Sequence, residues 1–309
     1  MRLVVMIPAF NEAPWIGTAI RAIPREVEGV DTVEVLVIDD GSTDGTSDAA
    51  REAGADHVVR HRSNRGLARA FTTGMQRALA LGADVIVNTD ADNQYMADGI
   101  HDLVRPILEG DAELVVGARP IADITHFSRA KRLFQRLGSW AVRKASGTDV
   151  PDAPSGFRAF TASAARRFVI LNHHTYTLEM LIQAGRSGMR VESVPVEVNP
   201  PVRPSRLMAS WPAYVRQSIV TIVRIAVVYR PFRFFASIGV VFLLAGTPLI
   251  ARYLVLYLQG RGQGNVQSLV IGSLLATVGV QTIMTAFLAD GVATNRRLLE
   301  SLRQRLPNY

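Results

Sequence analysis

The chain has 309 residues, no cysteine and a formal net charge of +7. Its length allows one large α/β domain with a smaller appendage, and the missing cysteines exclude disulfides, Cys-ligated zinc and thiol catalysis. The charge is split: residues 1–197 carry 22 Lys+Arg and 25 Asp+Glu, net −3, whereas residues 198–309 carry 12 and 2, net +10. A mildly acidic domain joined to a basic, apolar tail points away from nucleic acid and towards an anionic membrane.

Met1 runs directly into an apolar strand, with no basic n-region and h-region, so no cleaved signal peptide is expected. Leu3–Ile7, Val33–Asp39, Val58–Arg60, Val85–Thr89 and Leu114–Gly117 read as buried strands. Pro14–Ala22, Asp44–Ala53, Gly66–Leu81 and Asp98–Leu108 read as helices between them, with Asp44 as N-cap and Gly54 as the C′ residue of the second. Strands alternating with helices predict parallel βαβ units in an open sheet, with ligands beyond the carboxyl ends of the strands. From Arg119 to Gly147 the pattern is a basic amphipathic helix containing Arg132 and Arg136.

Residues 207–233 predict helices lying in a membrane interface, with Trp211, Tyr214 and Tyr229 near their ends. Two apolar segments come next, about 234–258 and 266–289, each meeting the ~20 residues needed to cross a bilayer. The short linker makes them a hairpin, and residues 291–309 are read as a basic tail. Arg224, Arg230 and Arg233 flank the first segment, Arg296, Arg297, Arg303 and Arg305 follow the second, and only Arg261 lies on the connecting loop. This distribution predicts a multi-pass plasma-membrane protein with its first domain and both termini in the cytoplasm. Arg252, inside the first segment, would snorkel or face a partner helix, and its cost argues for a subunit contact consistent with a homo-oligomer.

Four groups of residues fall at four successive strand ends. They are Pro8, Ala9, Asn11 and Glu12 after the first, Asp39, Asp40, Gly41 and Ser42 after the second, Asn64 and Gly66 after the third, and Asp90, Ala91, Asp92 and Gln94 after the fourth. Carboxylates one residue apart after a strand suit a hard cation with oxygen ligands, Mg²⁺ or Mn²⁺. A single such pair is a weak signal; the four groups in order are a strong one. No Gly-rich phosphate loop follows the first strand, which leaves a nucleotidyltransferase unsupported. The six histidines show no metal-ligand spacing, and Trp15 and Trp140 read as packing residues.

These residues resemble family-2 glycosyltransferases of the GT-A fold, and among them dolichol-phosphate mannosyltransferases and bacterial polyprenyl-phosphate relatives. PAFNE resembles the family's P-x-x-N-E start, VIDDGSTDGT its V-D-D-G-S-x-D-x-T segment, and DADNQ its D-x-D-x-Q metal motif. DAPSGFRAF, with Asp152, Ser155, Gly156, Phe157 and Arg158, resembles its D-x-x-S-G-F-R block, and Tyr176–Glu179 followed by Val194 and Pro195 resembles its later E…V-P strand. The resemblance implies a GT-A Rossmann-like, mixed but mostly parallel sheet over residues 1–206, then interfacial helices and the two-helix transmembrane hairpin.

It implies that Pro8, Glu12 and Asp40 hold the base and ribose of a nucleotide-sugar, with Ala9, Asn11, Ser42, Asn64, Gly66, Asp90 and Ala91 completing the donor pocket. Asp90, Asp92 and Gln94 would hold Mg²⁺ or Mn²⁺. Arg119, Arg132, Arg136, Arg203, Ser205 and Arg206 would meet the phosphate of a polyprenyl phosphate, with Asp92, Arg119 and Arg206 central to catalysis. The expected reaction is inverting transfer of a hexose from a GDP-mannose or UDP-glucose type donor to that lipid phosphate. Two alternatives are extension of a lipid-linked saccharide and an inactive scaffold of the same fold. Leu67 and Ala68 replace the family's Lys and Gly after Gly66, leaving Arg65 or Arg69 to supply that cation, and Arg206 replaces a Lys. These departures leave the sugar open.

Overall fold

The computed structural model describes residues 1–120, 140, 142–144, 146–170, 176–200, 220, 223, 227 and 230–305, with the backbone alone over 296–305. It divides into two compact units, Met1–Ser218 and Ile219–Tyr309.

The first unit is a seven-stranded sheet: β1 (Arg2–Ala9), β2 (Thr32–Asp39), β3 (His57–Arg60), β4 (Val85–Asn88), β5 (Leu114–Ala118), β6 (Arg158–Thr161) and β7 (Val191–Pro195). Their spatial order is β3-β2-β1-β4-β6-β5-β7. All adjacent pairs are parallel except those of β6, which runs antiparallel between β4 and β5. The sheet is therefore mixed and mostly parallel, as expected, and β6 is the strand that the alternating pattern did not reveal.

Alternation along the strands builds two cores, one on each face. Leu3, Val5, Ile7, Val35, Val37, Val85, Val87 and Val115 pack with Ile16 and Ile20 of α1 (Ala13–Ala22), Ala50 of α2 (Thr46–Glu52), and Ile100, Leu103 and Val104 of α4 (Gly99–Leu108). On the opposite face lies α3 (Leu67–Ala80), whose Phe71 stacks on Tyr176 at 3.7 Å and meets Phe160 at 6.1 Å. A Cβ on Gly74 would lie 2.6 Å from Ile38, so α3 lies close against the sheet there. Among the described residues the unit also holds α5 (Ala162–Arg167) and α6 (Thr177–Arg186).

Several boundaries shift for physical reasons. β1 continues through Pro8 and Ala9, which pair with Ile38 and Asp39, so these two residues end the strand instead of lying beyond it. Proline is accommodated because the β4 ladder on the other side stops at Met6. Asp44 is not the N-cap of α2: Gly45 holds that place, and the Asp44 carboxylate instead accepts from the backbone N–H groups of Thr46 (3.1 Å) and Ala13 (3.1 Å), joining two helix starts. Gly54 is the C′ residue, with φ of +91°; the Ala55 N–H donates to Ala50 O at 3.1 Å, closing the helix end. α3 starts at Leu67 because Gly66 has φ of +89°.

The second unit contains α7 (Pro231–Leu258) and α8 (Val266–Arg305) as an antiparallel pair. Both are long and apolar enough to cross a membrane. Glycines set the contact. A Cβ on Gly239 would lie 2.8 Å from the Gly279 carbonyl, and one on Gly246 would lie 2.7 Å from the Gly272 carbonyl. Small residues of this kind let helix backbones approach where lipid gives no hydrophobic drive. Phe232 meets Phe287 edge-on at 5.1 Å, marking the level at which α7 begins. α8 runs on unbroken to Arg305, roughly 27 Å further at 1.5 Å per residue. Most of the basic tail is thus a continuation of this helix. Arg252 is exposed on α7.

Of the expected features, most of the 119–147 helix and of the 207–233 interfacial stretch lie outside the described residues. So do Arg132, Arg136, Arg203, Ser205 and Arg206.

Candidate active site

The first half of the site is built where β1, β2 and β3 end. Asn11 has a left-handed backbone, φ of +52°. Its N–H donates to Ser42 Oγ at 2.9 Å, and its own Oδ1 accepts from the Thr43 N–H at 2.9 Å. The Glu12 N–H donates to Thr46 Oγ1 at 2.9 Å, and Glu12 is buried. These bonds tie the loop after β1 to the turn after β2, across two strands that pair directly.

Asp39 and Asp40 are both buried at the end of β2. Asp39 accepts from the Ser42 N–H at 2.7 Å and from the Ser47 hydroxyl, while Arg60 donates to the Ser42 carbonyl at 2.7 Å. The Asp40 carboxylate receives the N–H groups of Arg65 (2.9 Å) and Gly66 (2.7 Å) and contacts His61 Nδ1 at 2.6 Å. The other ring nitrogen of His61 contacts Thr73 Oγ1 at 3.0 Å. Asp40 therefore organises the loop that carries Asn64 and Gly66. Gly41 explains the closeness of the two loops: φ is +76°, and a Cβ would lie 2.5 Å from the Ser63 backbone. Pro8, Ala9, Asn11, Glu12, Asp40, Ser42, Asn64 and Gly66 are thus brought to one end of the sheet.

The second half lies beyond β4. Asp90, Asp92, Asn93 and Gln94 are half-buried, and Ala91 is buried in the core. Asn93 takes φ of +54°, which turns the chain sharply, and the Gln94 N–H donates to Asp92 Oδ1 at 3.2 Å. The turn is anchored from outside. Asn199 donates from its N–H to the Gln94 carbonyl and from Nδ2 to the Asn93 carbonyl, both at 2.8 Å. Tyr95 also bridges antiparallel to Val198.

Behind Asp90 lies a buried polar network. Asn88 Nδ2 donates to the Gly156 carbonyl and to Tyr176 Oη, each at 2.8 Å. A Cβ on Gly156 would lie 3.0 and 3.3 Å from the two Asp90 carboxylate oxygens and 3.3 Å from Tyr176 Oη, so these groups share one small space. The Gly156 N–H donates to Tyr95 Oη at 3.2 Å. Burial, and then the Asp90 charge, push the Tyr95 hydroxyl up to about 12, and burial raises that of Tyr176 well above its ordinary value. Both remain neutral hydroxyls at physiological pH.

Arg119 is held by Asp152 through Nε at 2.6 Å and Nη2 at 3.0 Å, a forked pair with Asp152 fully buried. Burial works against the Arg119 charge, but the Asp152 bonds, with Tyr95 and Asp90, hold its pKa above the ordinary value. Arg158, wholly buried, donates to the carbonyls of Ser155 (2.8 Å), Ala153 (2.6 Å) and Thr177 (2.6 Å). Burial lowers its pKa to about 10, which leaves it charged and the 153–158 turn fixed to the start of α6.

Among the described residues no three His, Cys, Asp or Glu side chains converge as a metal cluster. Asp90, Asp92 and Gln94 make a partial, all-oxygen set. That composition suits Mg²⁺ or Mn²⁺, which take remaining ligands from water and substrate phosphates. Sequence reasoning missed His61, Asn88, Tyr95 and Asn199, each of which meets its partner only after folding. Tyr176 stands in a motif that by itself gives it no role.

Comparison with known proteins agrees with this geometry. Residues 4–172 match the model of glycosyl transferase family 2. The undecaprenyl-phosphate mannosyltransferase of Micrococcus luteus is 28% identical over 206 residues, 63% of this chain and 83% of that one. Glycosyltransferase AglJ of Haloferax volcanii is 27% identical over 300 residues, 95% and 94% of the two chains. Glucosyl-3-phosphoglycerate synthase of Mycobacterium tuberculosis, crystallised with Mn²⁺, UDP-glucose and phosphoglyceric acid, superposes with a TM-score of 0.55 at 25% identity. The match covers 72% of this chain and 79% of that one. With more than half of its length matched, and with the family's motifs assembled at one sheet end, this chain belongs to glycosyl transferase family 2 and is a glycosyltransferase.

Proposed function

We propose that this enzyme transfers a hexose from a nucleoside-diphosphate sugar to a polyprenyl phosphate, with inversion, at the cytoplasmic face of a bilayer that its C-terminal hairpin crosses. The observation that carries the reading is the turn after β4. Two carboxylates stand there at the carboxyl end of a central strand, and Asn199 bonds the turn to the segment leading to Arg203, Ser205 and Arg206. Arg203 follows Asn199 by four residues in the sequence. The names of relatives that act on undecaprenyl and dolichyl phosphates support the acceptor class.

The chemistry explains the residues. A phosphate monoester is an ionised nucleophile at pH 7 and needs no general base. What the site must overcome is repulsion between donor diphosphate and lipid phosphate. Asp90, Asp92 and Gln94 would hold the Mg²⁺ or Mn²⁺ that, when bound, offsets the charge of the departing diphosphate. Arg203 and Arg206, with Arg132 and Arg136, would meet the lipid phosphate with forked donors. Arg119, locked by Asp152 near Asp90, would add fixed positive charge between the two. Glu12, Asn11, Ser42 and the loop held by Asp40 would bind the nucleoside end. Fixed placement of both reactants then supplies much of the rate.

The test is transfer of radiolabelled sugar from several nucleotide-sugars to undecaprenyl or decaprenyl phosphate in membranes, with and without Mn²⁺. Asp92→Ala is expected to lower kcat/KM on the order of 100-fold and to weaken Mn²⁺ binding measured directly on the protein. Full activity in that variant would remove the metal assignment. A product with retained anomeric configuration would remove the inverting mechanism.

A further inference from the structure

Two side chains that are 7% and 4% exposed meet at the end of β2: His61 Nδ1 lies 2.6 Å from Asp40 Oδ1. An ionised carboxylate only accepts, so Nδ1 carries the proton, and in the neutral ring Nε2 accepts from the Thr73 hydroxyl, 3.0 Å away. Both ring nitrogens are therefore engaged, which leaves His61 neither a lone pair for a metal nor a free proton for the transfer reaction. What remains for it is placement. Its own backbone is set by the sheet, since the His61 N–H donates to the Asp39 carbonyl at 2.8 Å.

The other donors to Asp40 act differently. The N–H groups of Arg65 and Gly66 belong to the loop that Asp40 organises, and they move with it. The His61 ring adds a bond to a fixed element through Thr73. Thr73 precedes Gly74, where α3 lies against Ile38 with no room for a Cβ, so the ring is anchored where close packing gives the helix least freedom. A displaced Asp40 would carry its neighbours along. A Cβ on Gly41 would lie 2.5 Å from the Ser63 backbone, and Ser42 Oγ accepts the Asn11 N–H at 2.9 Å. The turn after β4, with Asp90 and Asp92, stands two strands away in the order β2-β1-β4.

We propose that His61 is a positioning residue for the nucleoside end of the donor: it holds the Asp40 carboxylate, and with it the Asn64–Gly66 loop and the Ser42 turn, where a nucleoside diphosphate is received. The inference rests on the proposed donor pocket but not on the acceptor or the sugar. It requires a change in donor affinity without a change in the chemical step. The full-length protein in detergent is titrated with UDP and with GDP, each with Mn²⁺, and KM and kcat for the donor come from the transfer assay in membranes. His61→Gln keeps an amide near the Nε2 position for Thr73 but withdraws the donor from Asp40. The Kd of whichever diphosphate the unmodified enzyme binds is expected to rise about ten-fold, KM with it, while kcat stays within about two-fold. His61→Asn puts Nδ2 where Nδ1 stood and should bring Kd back to within about three-fold. Thr73→Val leaves the ring but removes its anchor, and is expected to raise Kd about three-fold even if His61→Gln does not fold. Equal losses in the Gln and Asn variants, an unchanged Kd in His61→Gln or Thr73→Val, or a fall in kcat at constant KM would overturn the role of His61 alone. An unmodified enzyme that binds neither UDP nor GDP would overturn the donor pocket itself.

Discussion

Asp90 owes its place to groups that face the protein interior. Gly156 leaves no room beside its carboxylate, and Asn88 and Tyr176 fill the space behind. Gly156→Ala would put a methyl group 3.0 Å from one Asp90 oxygen and 3.3 Å from the other, forcing the carboxylate aside. The expected loss is 10- to 100-fold in kcat/KM, with a stability cost of only about 1–3 kcal/mol. Thermal melts and Mn²⁺ titration of the same sample separate the two effects; unchanged kinetics would show that Asp90 tolerates displacement. Tyr95 gives a pH signature. Its folded pKa, near 12, exceeds the unfolded value near 10 because of burial and then Asp90. Its contribution is complete below pH 10 and is lost as pH rises towards 12, since the unfolded chain releases the proton first. The loss is about 2–3 kcal/mol. Denaturant unfolding across pH 9–12 should show a shallower decline in Tyr95→Phe, with Tyr176 sustaining the remainder. The turn that carries Asp90, Asp92 and Gln94 was legible in sequence because residues on one turn are close neighbours in the chain. The pairing of Asp40 with His61, 21 residues apart, and of Asn88 with Tyr176, 88 apart, was not, because side-chain partners across a sheet leave no spacing rule.

Elements with strong local pattern were readable, and those placed by long-range contact were not. β1 to β5 and α1 to α4 arise from apolar runs, helical periodicity and glycine at the C′ position of α2. β6 is four residues long, comes after a polar turn, and enters the sheet antiparallel between strands 40 or more residues earlier in sequence; nothing in RAFT itself distinguishes it from a loop. Its preceding turn is fixed by Arg158, whose three carbonyl partners are also invisible in sequence. β7 matters mainly because it delivers Asn199, four residues past its end, to the turn after β4. Asn199→Ala removes the bond to the Asn93 carbonyl and keeps the backbone bond to Gln94. One such bond contributes on the order of 1 kcal/mol, so Mn²⁺ half-saturation should rise about five-fold. A thermal midpoint that falls while Mn²⁺ half-saturation stays constant would assign Asn199 to stability alone.

The two units differ in charge, net 0 over residues 1–218 and net +7 over residues 219–309, and they differ in surface. The first unit buries its apolar side chains in two cores, one on each face of the sheet. In the second, the candidate spans are only 11% and 17% buried, and Leu244, Leu258 and Leu288 stand open. Such a surface is stable in hydrocarbon and costly in water. Between the spans lies one basic residue, Arg261, while Arg230 and Arg233 border the start of α7 and four arginines come after Asn295. Since basic residues are retained on the cytoplasmic side, the 259–265 turn should face outward and everything else inward. In cells expressing the full chain, an impermeant maleimide should label Gln263→Cys directly, and Glu52→Cys and Ser301→Cys only after permeabilisation. Labelling of Glu52→Cys in intact cells would invert the orientation and put the nucleotide-sugar site on the side where such donors are not made. Protection of Gln263→Cys in both conditions would mean that the hairpin never crosses. The first unit's sheet and its two cores would then still stand, but the proposed lipid acceptor would have to be reached from the surface.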